Sequence, residues 1–156
     1  MIRPANRADL AAVLRLYAQL NPDDPPLDPA TAAATFDGIL AASTCDLYVL
    51  ELDGRVVATA YLNLIPNLSR SARPYAVVEN VVVDAALRGT GLGKQLMAAV
   101  LRAAWDAGCY KAMLATSSRN PATHAFYRAC GFSGDAKTAY LARPPRSLSG
   151  DGWAGA

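Results

Sequence analysis

Three glycines lie within residues 88–93 (RGTGLG), between a valine-rich run and an apolar segment with helical periodicity. Glycine lets the backbone approach a ligand closely, and the free amides at the start of a helix attract anions. Arg88 can add a charge-assisted hydrogen bond to the same anion. The spacing matches neither GxGxxG nor GxxxxGK followed by Ser or Thr. The segment therefore indicates a phosphate or pyrophosphate site of another type, and the alternative is a turn that only packs helix against strand.

Composition and charge narrow the classes of partner. The 156 residues suit one domain, and a formal charge of +2 indicates neither a nucleic acid nor a membrane surface as partner. Charged side chains interrupt the apolar residues of the N-terminal segment, so neither a signal peptide nor a membrane span is predicted. Three separated cysteines without a CxxC or Cys/His cluster indicate no metal site, and reduced thiols are typical of a cytoplasmic protein.

The first half of the chain is predicted to contain two helices and four strands. A short strand near residues 2–3 precedes a helix through residues 10–20, and a second helix is predicted over residues 30–42. Residues 46–65 form a hairpin pattern with its turn at Asp53-Gly54. Residues 75–84 are a long strand with valines on both faces, which is typical of a central strand.

The second half predicts a βαβ unit around the glycine segment. A helix over about residues 92–107 is followed by a strand at 110–116, a helix at 120–130 and one or two strands within 132–142. The predicted fold class is therefore mixed α/β (α+β), with antiparallel strands first. Residues 1–142 are predicted to be a single domain, and residues 143–156 a flexible C-terminal tail.

Two motifs and their order resemble a known family. Residues 81–97 resemble the acyl-CoA-binding signature of the GNAT superfamily of N-acyltransferases, whose core residues are met here by Arg88, Gly91 and Gly93. Residues 120–132 resemble the superfamily's second motif, an Asn followed by a helix that ends in a Tyr and a Gly-Phe pair. The resemblance extends from residue 2 to about residue 141. It implies a mostly antiparallel mixed sheet of six to seven strands, about four flanking helices and a splayed βαβ cofactor cleft.

The resemblance also implies acetyl-CoA as the cofactor. The backbone of Val81, Val82 and Val83 would pair with the pantetheine amides, while the side chain of Asn120 would bond the cofactor arm and Phe126 would pack near it. The pyrophosphate would bind the amides of Arg88, Gly89, Thr90, Gly91, Leu92, Gly93 and Lys94.

The same resemblance implies an acid and a base for acetyl transfer to a primary amine. Tyr127 matches the family's usual general acid, because a phenol with a pKa near 10 can protonate the leaving thiolate. Glu79, a lone carboxylate in the valine strand, is the candidate base, directly or through water. The alternative for Glu79 is an acid that faces solvent. Asn80 is expected to point to the opposite face of the strand.

The sequence says less about the acceptor amine than about the cofactor. The segments that usually form this pocket offer Tyr17, Arg70, Arg73 and Tyr75, and the two arginines suit a phosphate or carboxylate on the acceptor. The favoured acceptor is therefore a small anionic amine such as an amino-sugar phosphate.

Other functions stay open at this point. Polyamines, aminoglycosides and protein amino groups are alternative acceptors, and the acidic pair Asp23-Asp24 would favour the first two. A non-catalytic acyl-CoA-binding or sensing module is a further alternative, which Tyr127 and Asn120 argue against. A homodimer is possible, with the final strands as the pairing edge.

Overall fold

The computed structural model describes residues 1–144, so the predicted tail lies outside the described residues except for its first two positions. Within them are five strands and four helices of nine or more residues. The strands are β1 (Ile2–Pro4), β2 (Cys45–Leu52), β3 (Arg55–Ile65), β4 (Tyr75–Val83) and β5 (Ala112–Met113). The helices are α1 (Leu10–Leu20), α2 (Pro29–Ala41), α3 (Leu92–Asp106) and α4 (Pro121–Ala129).

All five strands form one sheet in chain order. Neighbouring strands are antiparallel from β1 to β4, and β5 joins β4 in parallel after the crossover through α3. The hairpin turn at Asp53-Gly54 and the βαβ unit agree with the sequence patterns. The predicted class of a mixed, mostly antiparallel sheet is therefore confirmed.

The sheet is covered by helices on both faces. On one face, α3 buries Leu96, Met97 and Val100 against Leu62 and Val78 of the sheet. On the other face, α1 and α2 pack against strands β2 to β4, with a second cluster of Val13, Leu16, Phe36, Leu47, Val49, Val56 and Val82. Helices α1 and α3 each bury an apolar stripe at helical spacing, as the sequence periodicity predicts. No helix within residues 1–144 is both long and apolar enough to span a bilayer.

A β-bulge interrupts β4 near its middle. Thr59 of β3 pairs with Val82 and Tyr61 pairs with Glu79, so two residues of β4 stand opposite one of β3. Asn80, in the bulge, has a left-handed φ of 50°. The side-chain alternation consequently shifts by one residue: Ala76 and Val78 face α3 before the bulge, and Val81 and Val83 face it afterwards.

The predicted strand count of six to seven is wrong for the described residues. Residues 132–144 contain no strand, and β5 has two residues instead of the predicted seven. The outer edge of β5 is the place where a further strand would pair, and two residues offer too few backbone groups to hold one. The segment after α4 therefore stays irregular and largely exposed.

Candidate active site

The outer edge of β4 loses its neighbour part-way along the strand. β5 pairs with β4 only at Ala76–Ala112 and Val77–Met113. Within residues 1–144, no strand covers the outer edge of β4 from Val78 to Val83. Beyond Met113 the chain leaves the sheet on its way to α4. This gap is the predicted splayed cleft, and its free backbone groups can pair with an extended ligand that carries amides.

The glycine segment lies at the end of the gap where α3 begins. Gly91 is the N-cap of α3 with a left-handed φ of 88°, and an added Cβ would meet no atom within 4 Å. Within residues 1–144, the amides of Leu92 and Gly93 at the start of the helix have no carbonyl partner, whereas the amide of Lys94 donates to the carbonyl of Gly91 at 3.1 Å. They lie at the positive end of the helix dipole, with open space beside Gly91, so this segment can hold a phosphate group.

The fit of Phe126 against Gly93 fixes α4 beside the start of α3. A Cβ added to Gly93 would lie 3.1 Å from Phe126 Cε2 and 3.3 Å from Val83 Cγ2, so a side chain at this position would displace the ring. The next residue along α4 is Tyr127, whose ring centroid lies 5.1 Å from that of Phe126 and 6.2 Å from that of Phe132. This aromatic packing orients the phenol of Tyr127.

The environment of Tyr127 keeps its phenol protonated. Burial of the side chain raises the pKa of Tyr127 above its usual value of 10, and the nearby Cys130 and Glu79 raise it further. Glu79 is the smallest of these three causes, which places the two predicted catalytic side chains within electrostatic range of each other. A neutral phenol at this position can donate a proton to a leaving group throughout the neutral pH range.

Glu79 and Asn80 lie on the same side of the sheet, in contrast to the expectation that Asn80 points away. Glu79 stands opposite Tyr61, which packs among the residues facing α1, and directly opposed residues share a face. Asn80 interacts with the side chain of Tyr17 on α1. The bulge is the physical reason, because the left-handed conformation of Asn80 breaks the two-residue alternation on which the expectation rested.

Two phenols line this side of the sheet near Glu79. Burial raises the pKa of Tyr17, and the interaction with Asn80 partly opposes the shift. Burial also raises the pKa of Tyr61 to about 12, and Tyr61 Oη donates to Cys45 Sγ at 3.1 Å. Both phenols are therefore uncharged, and Tyr17 with Asn80 can exchange hydrogen bonds with hydroxyl groups of an acceptor.

The comparison with protein families decides how this cleft is interpreted. Residues 12–132 match the family model described as the acetyltransferase (GNAT) family. The chain belongs to the GNAT family of acetyltransferases. It is an acyltransferase, and acetyl-CoA is the expected cofactor of the family.

Relatives of this GNAT protein include enzymes for two kinds of amine. It is 34% identical over 135 residues to glucosamine 6-phosphate N-acetyltransferase 1 of Oryza sativa subsp. japonica, covering 84% of this chain and 79% of the relative. It is 32% identical over 148 residues to aminoglycoside N(6')-acetyltransferase type 1 of Stenotrophomonas maltophilia, covering 92% of each. A solved putative acetyltransferase from Agrobacterium tumefaciens str. C58 is 44% identical with a TM-score of 0.88, over 92% of this chain and 99% of that one.

The predicted acceptor residues of this GNAT protein separate into two groups. Tyr17 lies at the bulge beside Asn80, whereas Arg70, Arg73 and Tyr75 lie at the opposite end of β4 from the glycine segment. At about 3.3 Å per strand residue, Tyr75 is roughly 13 Å from Glu79. The structure therefore brings Tyr17 to the cleft and leaves the other three away from it.

Arg73 has a structural role at that distant end. Its Nε donates to the carbonyl of Gly108 at 3.2 Å and its Nη2 to the carbonyl of Cys109 at 3.3 Å. A cation at this position complements the C-terminal end of α3. The ring of Tyr75 packs edge-on against Tyr110 beneath the ammonium group of Lys111. The backbone thus already uses the guanidinium of Arg73, and its binding to an acceptor stays a prediction.

Asn120 has a local role besides the predicted one. Its side-chain oxygen accepts from the amide of Ala122 at 2.9 Å and caps α4. The carboxamide nitrogen is the part of this side chain that can donate to a cofactor. The Asn-Pro start of the helix thus explains the local structure by itself, and the contact with the cofactor arm stays a prediction.

The sequence patterns do not indicate several residues of the site. Strand alternation predicts the wrong face for Asn80, and no motif indicates Arg15 and Gln19 of α1, although both reach the segment before the glycines. A Glu-Asn pair inside an otherwise valine-rich strand is a signal for a bulge, because Asn tolerates the left-handed region. No comparable signal in the sequence indicates the contacts of Arg15 and Gln19.

Proposed function

We propose that this chain transfers the acetyl group of acetyl-CoA to the primary amine of a small phosphorylated amino sugar. The observation that carries the proposal is the position of Tyr127, a half-buried phenol with a raised pKa, within electrostatic reach of Glu79 beside the uncovered edge of β4. When an amine attacks a thioester directly, the reaction needs a base for the amine and an acid for the leaving thiolate, and this cleft offers one of each.

Two backbone segments of the chain bind different parts of acetyl-CoA. The amides of residues 88–94 hold the cofactor phosphates at the start of α3, where Gly91 leaves open space. The backbone of Val81, Val82 and Val83 pairs with the amides of the pantetheine arm along the uncovered edge. Bound acetyl-CoA supplies the acetyl thioester that the amine attacks.

The proton transfers follow from the placement of the two side chains. Glu79 takes a proton from the ammonium group of the acceptor, directly or through a water molecule, so that the nitrogen lone pair can form the new C–N bond. As the C–S bond breaks, Tyr127 delivers its phenolic proton to the departing sulfur. The new amide nitrogen gives up its second proton to Tyr127, Glu79 releases the first to solvent, and the products are an amide and a free thiol.

An amino sugar fits the chemistry beside Glu79. The side chains of Tyr17 and Asn80 are neutral groups that donate and accept hydrogen bonds, which suits the hydroxyls that flank the amine of a sugar. The glucosamine 6-phosphate N-acetyltransferase of rice, which is 34% identical, supports the same acceptor class.

An aminoglycoside is the second candidate acceptor. The Stenotrophomonas relative supports it, and the exposed pair Asp23-Asp24 on the connection after α1 could attract a polycationic substrate. A phosphate on the acceptor would be repelled by these carboxylates. The charge of the preferred amine therefore distinguishes the two candidates.

A thiol-release assay with acetyl-CoA tests the proposal. The acceptors are glucosamine 6-phosphate, glucosamine and an aminoglycoside, and the quantity compared is kcat/KM. We expect glucosamine 6-phosphate to exceed glucosamine by about 10-fold or more, because hydrogen bonds to a charged group contribute to recognition. A higher kcat/KM for the aminoglycoside than for glucosamine 6-phosphate would make an aminoglycoside the proposed acceptor instead. Acetyl-CoA binding without turnover of any amine would favour a sensing module.

Replacement of the base gives a separate prediction. Glu79→Gln should lower kcat/KM by about 100-fold, with the largest loss at the acidic end of the pH profile, where unprotonated amine is scarce. The control is Glu51→Gln, the same chemical change in a carboxylate that pairs with Arg3 at 2.9 Å outside the cleft. Superimposable pH–rate profiles for Glu79→Gln and the unmodified protein would remove Glu79 from the mechanism.

A further inference from the structure

The segment between β4 and the glycines is hydrogen-bonded to a neighbouring strand on one side alone within residues 1–144. Asp84 donates its amide to the carbonyl of Val57 on β3 at 2.8 Å. On its other side lies the uncovered edge of β4. A segment that enters a phosphate site from a strand supported on one edge needs further contacts to keep its amides in place.

Helix α1 supplies those contacts from the face of the sheet. Arg15 Nη1 donates to Asp84 Oδ2 at 2.7 Å, and Arg15 Nη2 donates to the carbonyl of Val56 at 2.7 Å. One turn further along α1, Gln19 Oε1 accepts from the amide of Ala85 at 2.8 Å. The two side chains are four residues apart and therefore lie on the same side of the helix.

The contacts continue toward the glycines in short steps. Asp84 Oδ1 accepts from the amide of Ala86 at 3.2 Å, and the carbonyl of Asp84 accepts from the amide of Leu87 at 2.8 Å. The carbonyl of Leu87 in turn accepts from Thr90 Oγ1 at 2.6 Å. A displacement of Asp84 would thus be transmitted to the residue directly before Gly91.

We propose that Arg15 and Gln19 are positioning residues for the cofactor loop: α1 holds Asp84 and Ala85 so that the following amides are aligned for the phosphates of acetyl-CoA. This inference rests on the proposed binding of those phosphates by residues 88–94. Neither side chain touches the cofactor in this arrangement, and both act through Asp84 and Ala85.

The partial burial of the ion pair supports a positional role. The side chain of Asp84 is 13% exposed and that of Arg15 is 41% exposed, so solvent screens this pair less than a fully exposed one. The hydrogen bond from Arg15 is the largest cause that lowers the pKa of Asp84, which keeps the carboxylate charged at neutral pH. The bond from Ala85 to Gln19 involves a backbone amide, so it constrains the path of the chain itself.

The test measures acetyl-CoA binding by calorimetry, which needs no acceptor. Gln19→Leu and Arg15→Met should each raise the Kd for acetyl-CoA by about 3- to 10-fold, the effect of losing one or two hydrogen bonds that align a site. Gln19→Glu retains an accepting oxygen for the amide of Ala85 and should bind close to the unmodified protein. This rescue separates the alignment of the loop from general packing of the helix.

A matched ion pair controls for loss of stability. Arg7 pairs with Asp37 at 2.7 Å, between the segment before α1 and helix α2. Arg7→Met should leave the Kd unchanged even where it lowers the thermal midpoint. Unmodified affinity in both Gln19→Leu and Arg15→Met, beside weakened binding in Gly91→Val, would overturn the positioning role alone. Unmodified affinity in Gly91→Val as well would overturn the proposed phosphate site, and the positioning role with it.

Discussion

Tyr127→Phe should lower kcat by about 10²- to 10⁴-fold while the Kd for acetyl-CoA changes little. The substitution removes only the hydroxyl, so the packing of the ring against Phe126 and Phe132 is retained. Without the phenolic proton, the sulfur of CoA must leave as a thiolate. The effect therefore falls on the chemical step, and a comparison of kcat with calorimetric affinity measures it.

The raised pKa of Tyr127 predicts the alkaline side of the pH profile. A general acid is active below its pKa, so a value above 10 keeps the phenol competent through neutral and moderately alkaline solution. In the unmodified protein, we expect the alkaline decline of kcat to begin only above about pH 10.

Tyr110→Phe is the matched control for the acid. It removes the same atom from a tyrosine that packs against Tyr75 at the far end of the sheet, and kcat should be unchanged. Equal rates for Tyr127→Phe and the unmodified protein would exclude Tyr127 as the general acid.

Gly91→Val should weaken acetyl-CoA binding by about 100-fold or more. Gly91 has a left-handed φ of 88°, which a β-branched residue adopts only with strain. The added side chain would also project into the open space where the phosphates are proposed to bind. Calorimetry with acetyl-CoA measures the loss directly.

A substitution at a second glycine separates the effect of backbone strain from the effect of a side chain that blocks the phosphates. Gly108, at the other end of α3, has a φ of 79° and no atom within 4 Å of an added Cβ. Gly108→Val should lower the free energy of unfolding by about 1 to 3 kcal/mol, as Gly91→Val does. It should leave the affinity for acetyl-CoA unchanged. If a folded Gly91→Val variant bound acetyl-CoA as tightly as Gly108→Val, the phosphates would have to bind elsewhere.

Local patterns in the sequence were sufficient for most elements of the fold. The caps of the helices, the Asp53-Gly54 turn and the valine-rich central strand depend on interactions between residues close together in the chain. The glycine segment could also be placed at a strand-to-helix junction, because its flanking periodicities are local signals. The match of residues 12–132 to the GNAT family confirms the resemblance drawn from the two motifs.

Strand alternation gives the wrong face for Asn80 relative to Glu79, and the Glu-Asn pair signals a bulge without showing which residues it brings together. A β-bulge exists only in relation to the partner strand, and its effect here is to place Asn80 beside Tyr17. The length of β5 has the same origin: its residues suit a longer strand, but the chain diverges from β4 after Met113. Strand propensity gives no information about where two strands separate.

By itself, the sequence indicated the family and, through that resemblance, the class of reaction, because its two motifs are short and lie close together in the chain. It also placed the glycine segment at a strand-to-helix junction. Only the tertiary structure decided which distant side chains meet. It brought Tyr17 to the bulge, bound Arg73 to the end of α3, and joined Arg15 and Gln19 to the segment before the glycines. Arg15 and Asp84 are 69 residues apart. Contacts over such separations depend on how the helices dock on the sheet, which no local pattern encodes.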